Sequence, residues 1–307
     1  MDELIPYIAD KIAEGITSVR PVGGGSISSA YWFETANARY FLKVNSGSSA
    51  LEMFHAEQEG LDAIEATRTI AIPHVHLVGS IDGKAFLLMD HVDSKRPNTS
   101  DYQRLGRELA ELHQFSLHQP TRSTGETGSR RTGPEQSSGA DFGFPTDNFI
   151  GSLPQSNRSH TDWPEFYWFK RILPQLQMAR EDGLISGKMI PAEEKAIALF
   201  RDIFGHVKPS LLHGDLWGGN YLIATDGTPY LIDPAVYHGH SMVDIAMSRL
   251  FGGFGPDFYS AYHEIIPKPE NYDIQIDLYQ LYYLLVHLNL FGSGYYSSVT
   301  SLLKRCF

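Results

Sequence analysis

Three polar residues in an otherwise apolar stretch have the types and spacing for chemistry. The stretch reads LLHGDLWGGNYLIATDGTPYLIDP and covers residues 211–234. Asp215 follows His213-Gly214, Asn220 comes five residues later, and Asp233 stands thirteen beyond that, just before Pro234. Apolar runs at 211–212, 221–223 and 230–232 flank them, and Asp226-Gly227 between the last two runs is a strong hairpin signal. The pattern predicts polar groups on a loop and at the exit of a hairpin, held by buried strands. Phosphoryl transfer to an alcohol needs such parts: one carboxylate to accept the hydroxyl proton, and an amide and a second carboxylate to hold Mg2+ against the phosphates of ATP. Asp215 fits the catalytic role, and Asn220 and Asp233 fit the metal ligands.

The elements that must position these groups lie upstream, in the order that protein kinases use. Gly23 and Gly25 belong to a glycine cluster between β-rich segments, where backbone amides, with Ser26 among them, can approach phosphates closely. The third glycine position of the kinase loop is Ser28, and no Gly-Lys-Ser/Thr follows, so this is not a Walker A loop. Lys43 lies toward the end of the alternating segment 39–45, about twenty residues after the glycines, and is placed to grip the α- and β-phosphates. The following segment reads as a helix with Phe54, Leu61 and Ile64 at helical spacing. Glu57, chosen over Glu52 and Glu59, is the expected partner of Lys43. A continuous apolar run, 85–89, predicts a buried strand ending in Met89. A hinge is expected just after it, with the Asp90 carbonyl and the Val92 amide meeting the adenine edge. Two departures separate the chain from protein kinases: Gly214 stands where Arg is usual, and Pro-Ala follows Asp233 where Phe-Gly is usual. An Ala-Pro-Glu motif is also missing. A small-molecule kinase of the same fold is the better match.

Composition sets the frame. The chain has 307 residues, 42% hydrophobic and 20% charged, as in an ordinary globular protein of one or two domains. A formal charge of −11 argues against a nucleic-acid partner, which needs a basic face. The single cysteine, Cys306, excludes an internal disulfide. With no N-terminal apolar leader and no 18-residue apolar run, no membrane association is expected and a cytoplasmic location is.

The rest of the chain reads mainly as helices. Residues 2–16 suggest a short amphipathic helix, 102–113 a clear one with Leu105, Leu109 and Leu112 on its core face, and His113 a capping or core histidine. Residues 120–140 are rich in Gly, Ser and Thr and nearly free of large apolar residues, which predicts a flexible insertion. Asp147 and Asn148 follow in an aromatic loop that suits either substrate contact or a packed turn. Pro164 and Pro191 open further helices. His238 and His240 lack the partners for a metal site and are expected near a phosphate or sugar. Asp244, early in the next helix, is expected to fix the Asp215 loop by hydrogen bonds. Residues 278–291 are apolar on nearly every face and predict a buried helix of a large lobe.

The segments HGDLWGGN, IDPAVYHGHSMVDIAM, FGFPTDNFIG and LYQLYYLLVHLNLFGSGY resemble the fructosamine kinase (ketosamine-3-kinase) family over nearly the whole chain outside 120–140. The resemblance implies an α+β, bilobal protein-kinase-like fold. An N-terminal lobe, about 1–90, would carry an antiparallel sheet and a helix, 91–94 would be the hinge, and 95–307 a larger, mainly helical lobe. It also implies phosphorylation, with ATP and Mg2+, of the 3-hydroxyl of a ketosamine, small or protein-linked, whose unstable 3-phosphate then falls apart and frees the amine. Trp217 would be the stacking platform for the sugar, with Asp147, Asn148 and His240 as further substrate contacts. A relative of aminoglycoside or choline kinases shares the His-Gly-Asp loop and is the first rival. A non-catalytic nucleotide-binding module is the second.

Overall fold

Alternation decides the first lobe. The computed structural model describes residues 1, 3–23, 28–115 and 141–307; Gly25, Ser26 and the 120–140 insertion lie outside the described residues. The lobe contains α1 (Leu4–Ile12), β1 (Ser18–Val22), β2 (Ser29–Glu34), β3 (Arg39–Asn45), α2 (Ala50–Glu65), β4 (Val75–Ile81) and β5 (Lys84–Asp90). The strands form one antiparallel sheet in the order β1-β2-β3-β5-β4. Along β3, period two sends Tyr40, Leu42 and Val44 to one face, where they pack with Leu4 and Ile8 of α1. Phe41 and Lys43 therefore take the other face, the one covered by α2. On β5, Phe86 and Leu88 join the α1 side, while Ala85, Leu87 and Met89 pack with Ala50, Phe54 and Leu61 of α2. Both faces of β5 are thus covered, which explains its uninterrupted apolar run.

A connector then leads into the second lobe. It is tied down where Thr225 N donates to Asp93 O (3.0 Å) and Lys95 N to Ile223 O (2.8 Å). Beyond it come α3 (Thr99–Phe115), the short hairpin β6 (Asn148–Ile150) and β7 (Leu153–Gln155), then α4 (Trp163–Tyr167), a π-helical stretch (Trp168–Ile172), α5 (Leu173–Glu181) and α6 (Glu193–Phe204). Asp162 caps α4 by accepting from Glu165 N, with Pro164 in its first turn. Four three-residue strands follow, β8 (Ser210–Leu212), β9 (Tyr221–Ile223), β10 (Pro229–Leu231) and β11 (Tyr237–Gly239). β9 and β10 form the hairpin expected around Asp226-Gly227, and β8 pairs with β11. The chain ends in α7 (Met242–Leu250), α8 (Pro256–Ile265), α9 (Tyr272–Phe291) and α10 (Tyr296–Cys306). In α9 six consecutive residues, Leu281 to Val286, are buried, so every side of the helix is covered there. The helix begins at Tyr272, earlier than the apolar run at 278, and Asp273 sits in its first turn, where the helix dipole favours it.

Candidate active site

The loop between β8 and β9 is shaped by buried polar groups. Asp244 at the start of α7 is fully buried and accepts hydrogen bonds from the backbone amides of His213 (2.7 Å) and Gly214 (2.9 Å) and contacts His113 Nε2 at 3.1 Å. His113 Nδ1 in turn meets Tyr262 Oη at 2.8 Å, so this histidine is a core group. His213 lies 2.8 Å from Ile232 O through Nε2 and 3.3 Å from the Asp215 amide through Nδ1. That geometry assigns the Nε2–H tautomer, and burial holds the ring below the usual histidine range, which keeps it neutral. Gly214 has φ +82°, and a Cβ there would sit 2.1 Å from Ala235 O. No side chain fits, which is the steric reason that arginine is absent from this position.

This frame sets Asp215 beside Asn220. Asn220 Nδ2 donates to Asp215 O (2.9 Å) and to Asp215 Oδ2 (3.1 Å). Burial first, and the nearby Asp233 charge second, push the Asp215 carboxyl up to about 7, against the pull of the Asn220 hydrogen bond.

The second cluster joins the two lobes. Glu57 falls in the stripe Ala50, Phe54, Leu61 and Ile64 of α2, all four of them buried, and this turns it toward the Lys43 face of the sheet. Lys43 Nζ lies 2.6 Å from Glu57 Oε1 and also contacts Asp233 Oδ1. Glu52 is exposed, and Glu59 instead accepts from Thr146 Oγ1 at 2.6 Å. Burial opposes the Lys43 charge, but Asp233 and Glu57 outweigh it and hold the ammonium above its usual range. Burial pushes Glu57 up to about 7 despite Lys43. Burial also works against the Asp233 charge, yet Lys43 prevails and lowers that carboxyl. Asp233 has φ +56°, the left-handed region, and its side chain is 42% exposed.

Both clusters face one cleft of about 900 Å³. Gly23, Lys43, Met89, Asp90 and Val92 line its sheet side, and Asp215, Trp217, Asn220 and Asp233 its helical side. Trp217 is 40% exposed, and its ring crosses Gly219, where a Cβ would meet it at 2.3 Å. Sequence reasoning passed over Trp32 and Phe41, which also line the cleft. Period two from Lys43 was the available signal, since Trp32 pairs with Phe41 and Ala30 with Lys43 across β2 and β3.

The expected substrate contacts fare differently. Asn148 lines the cleft, but its amide is committed: Nδ2 donates to Val236 O and Oδ1 accepts from Gln155, each at 2.8 Å. Asp147 is not among the lining residues; its carboxylate accepts from the Asn157 amide at 2.6 Å, as in a packed turn. His240 is not among them either. It meets Tyr279 Oη at 2.7 Å through Nδ1 and lies edge-on to the Tyr279 ring, and burial lowers it to about 3. His238 sits in β11 with its ring against Phe144. Both histidines therefore pack within the helical lobe, His238 in the β11 strand and His240 just beyond it.

The donor set available to a metal is oxygen only, the Asp233 carboxylate and the Asn220 side-chain oxygen. It suits a hard cation such as Mg2+ that takes its other ligands from water and phosphate. Among the described residues no group of three His, Cys, Asp or Glu could hold a metal alone.

Comparison with known proteins matches this arrangement to a family. Residues 4–307 fit the family model described as fructosamine kinase. The chain is 39% identical over 297 residues to a chloroplastic protein-ribulosamine 3-kinase of Arabidopsis thaliana, covering 95% of this chain and 83% of the relative. It is 38% identical over 301 residues to the ketosamine-3-kinase of Mus musculus, covering 95% and 96%. A solved chain from Thermobifida fusca, named provisionally as a fructosamine-3-kinase, superposes with a TM-score of 0.81 at 28% identity, covering 100% and 99%. The aminoglycoside phosphotransferase APH(4)-Ia shares the fold alone, with a TM-score of 0.63 at 15% identity over 99% and 98% of the two chains. The chain has the protein-kinase-like bilobal fold and belongs to the fructosamine kinase family.

Proposed function

We propose that this protein is a ketosamine-3-kinase, transferring the γ-phosphoryl group of ATP to the 3-hydroxyl of a ketosamine and so leading to deglycation of the amine. The observation that carries the reading is the meeting of two clusters in one cleft, Asp215 with Asn220 on one wall and Lys43 with Glu57 and Asp233 on the other. Asp215 orients the sugar hydroxyl and takes its proton; a carboxyl titrating near neutrality is suited to that exchange. Lys43, braced by Glu57, holds the α- and β-phosphates. Asn220 and Asp233 hold Mg2+, which when bound offsets charge on the β- and γ-phosphates. Gly23 is proposed to approach the phosphates; Gly25 and Ser26, proposed with it from the sequence, lie outside the described residues. Adenine lies by Met89, with the Asp90 carbonyl and the Val92 amide at its edge; the Val92 N–H has no hydrogen-bond partner among the described residues. In this reading 91–94 is the hinge between lobes 1–90 and 95–307. The protein does little covalent work, and positioning with charge stabilisation supplies most of the rate. No described helix is long and apolar enough to cross a membrane, and the proposed setting is the cytoplasm.

The test is ADP release with ribulose-, erythrulose- and fructose-derived ketosamines, on free and protein-linked amines, beside choline and an aminoglycoside. Turnover is expected with at least one ketosamine. Turnover with choline or the aminoglycoside alone would overturn the substrate assignment.

Trp217 is proposed as the sugar platform, supported by its exposure within the cleft. Trp217→Ala is expected to raise KM for the ketosamine about fivefold, the scale of one aromatic contact, with KM for ATP unchanged. A parallel rise in both constants would assign the indole to packing of the loop.

A further inference from the structure

The interior of α2 contains a buried glycine, Gly60. Glycine there disfavours the helix by about 1 kcal/mol relative to alanine. A close approach accounts for it. A Cβ at Gly60 would lie 3.1 Å from Cγ of Pro234 and 3.3 Å from Cγ1 of Val236. Pro234 directly follows Asp233, and Glu57 stands one helical turn before Gly60 on the same side of α2. The face of α2 that carries Glu57 is thus seated on the segment that carries Asp233, and Lys43 reaches both carboxylates.

The loop before β6 adds a second tether. Thr146 Oγ1 donates to Glu59 Oε2 of α2 at 2.6 Å. Two residues later, Asn148 Nδ2 donates to Val236 O at 2.8 Å. The loop and the strand it enters therefore grip α2 with one residue and the 234–236 segment with another, while Gly60 lets the two gripped elements come together.

We propose that Gly60 is a positioning residue: its missing side chain sets the separation of α2 from the Asp233 segment, and through it the geometry of Lys43, Glu57 and Asp233. This rests on the phosphotransfer reading above.

The test separates stability from function. Gly60→Ala forces Pro234 or the helix to yield by a few tenths of an ångström, while alanine favours the helix itself. The expected result is an unchanged or higher Tm together with kcat lower by roughly tenfold, the scale of a sub-ångström misplacement in a phosphotransfer site, and a raised KM for ATP. Gly60→Leu is expected to lose more. Adding Pro234→Ala removes the nearest contacting atom, so Gly60→Ala/Pro234→Ala is expected to recover much of the loss, a non-additivity that two independent defects would not show. The rise in Tm on adding ATP with Mg2+ gives a further readout that needs no acceptor. It remains informative if the ketosamine assignment fails. Wild-type kcat and KM for ATP in both Gly60 variants, or kcat and Tm falling together with no recovery in the double variant, would overturn the proposal.

Discussion

Asp215→Asn is expected to lower kcat at least about 10²-fold, the scale of a lost general base, and to make the protein more stable at neutral pH. The variant keeps the shape of the side chain and retains an oxygen to accept from Asn220 Nδ2. It loses the negative charge that the site holds at an energetic disadvantage. Burial and Asp233 raise the folded-state carboxyl to about 7 from an ordinary value of 3.8. A raised carboxyl means that the folded protein binds the proton more tightly than the unfolded chain does. Its contribution to stability is therefore full below about pH 4, and it is lost as pH rises through about 7. Asparagine carries no such charge. The Tm of Asp215→Asn should exceed that of the wild type by a margin that opens between about pH 4 and 7 and is constant above. The same titration predicts that wild-type kcat/KM falls toward low pH, about tenfold per pH unit once the base is protonated, with a midpoint below that of the metal-free protein because Mg2+ offsets the Asp233 charge. Thermal unfolding across that range, with pH–rate profiles of both proteins, checks each part. Near-normal kcat in the variant would remove Asp215 from the chemistry, and a Tm below the wild type at every pH would remove the strain argument.

Much of this site could be read from the order of residues, and the reason is local. Glu57 stands apart from Glu52 and Glu59 because it alone of the three falls on the apolar stripe of α2. Lys43 breaks the apolar character of a sheet face on which Phe41, Ala85, Leu87 and Met89 pack under the helix. Asp215, Asn220 and Asp233 each stand just outside a short buried strand, at its exit or its entry, and few structural roles account for that. The same logic identified β5 and α9 as buried on all sides. Residue type without surroundings failed at His240 and Asp147. A histidine in a polar-looking loop gives no sign that Tyr279 lies beside it, nor does Asp147 announce the Asn157 amide. β11 escaped notice because three residues are too few for alternation to register. The contact of Gly60 with Pro234 joins residues far apart in sequence, and a lone glycine in a helix does not name its neighbour. Local pattern reports the face on which a side chain lies; only the packed fold reports what meets that face.

Asp233→Asn is the complementary expectation, with turnover reduced at least about 10²-fold, as for the loss of a principal electrostatic group. Asparagine tolerates the left-handed conformation found at φ +56°, so the backbone is expected to hold. Lys43 keeps Glu57 as its partner, and the pair remains neutral. The electrostatics of the neighbours change instead. Asp233 is one of the charges that hold the Asp215 carboxyl high, so removing it should return Asp215 toward its ordinary range. The titration of Asp215, followed by carboxyl NMR, should then move to lower pH than in the wild type. In the proposed role Asp233 also supplies the one anionic metal ligand of the pair with Asn220. The Mg2+ dependence of ATP-induced stabilisation should flatten in Asp233→Asn, and it should persist in Asp215→Asn, whose metal ligands are intact. The two variants thus lose turnover for different reasons, and nucleotide stabilisation with and without Mg2+ tells them apart. If Asp233→Asn kept a wild-type Mg2+ response and normal kcat, the metal would have to be held elsewhere. If both variants lost the response equally, Asp215 would belong to the metal site and the division of labour between the two carboxylates would fall.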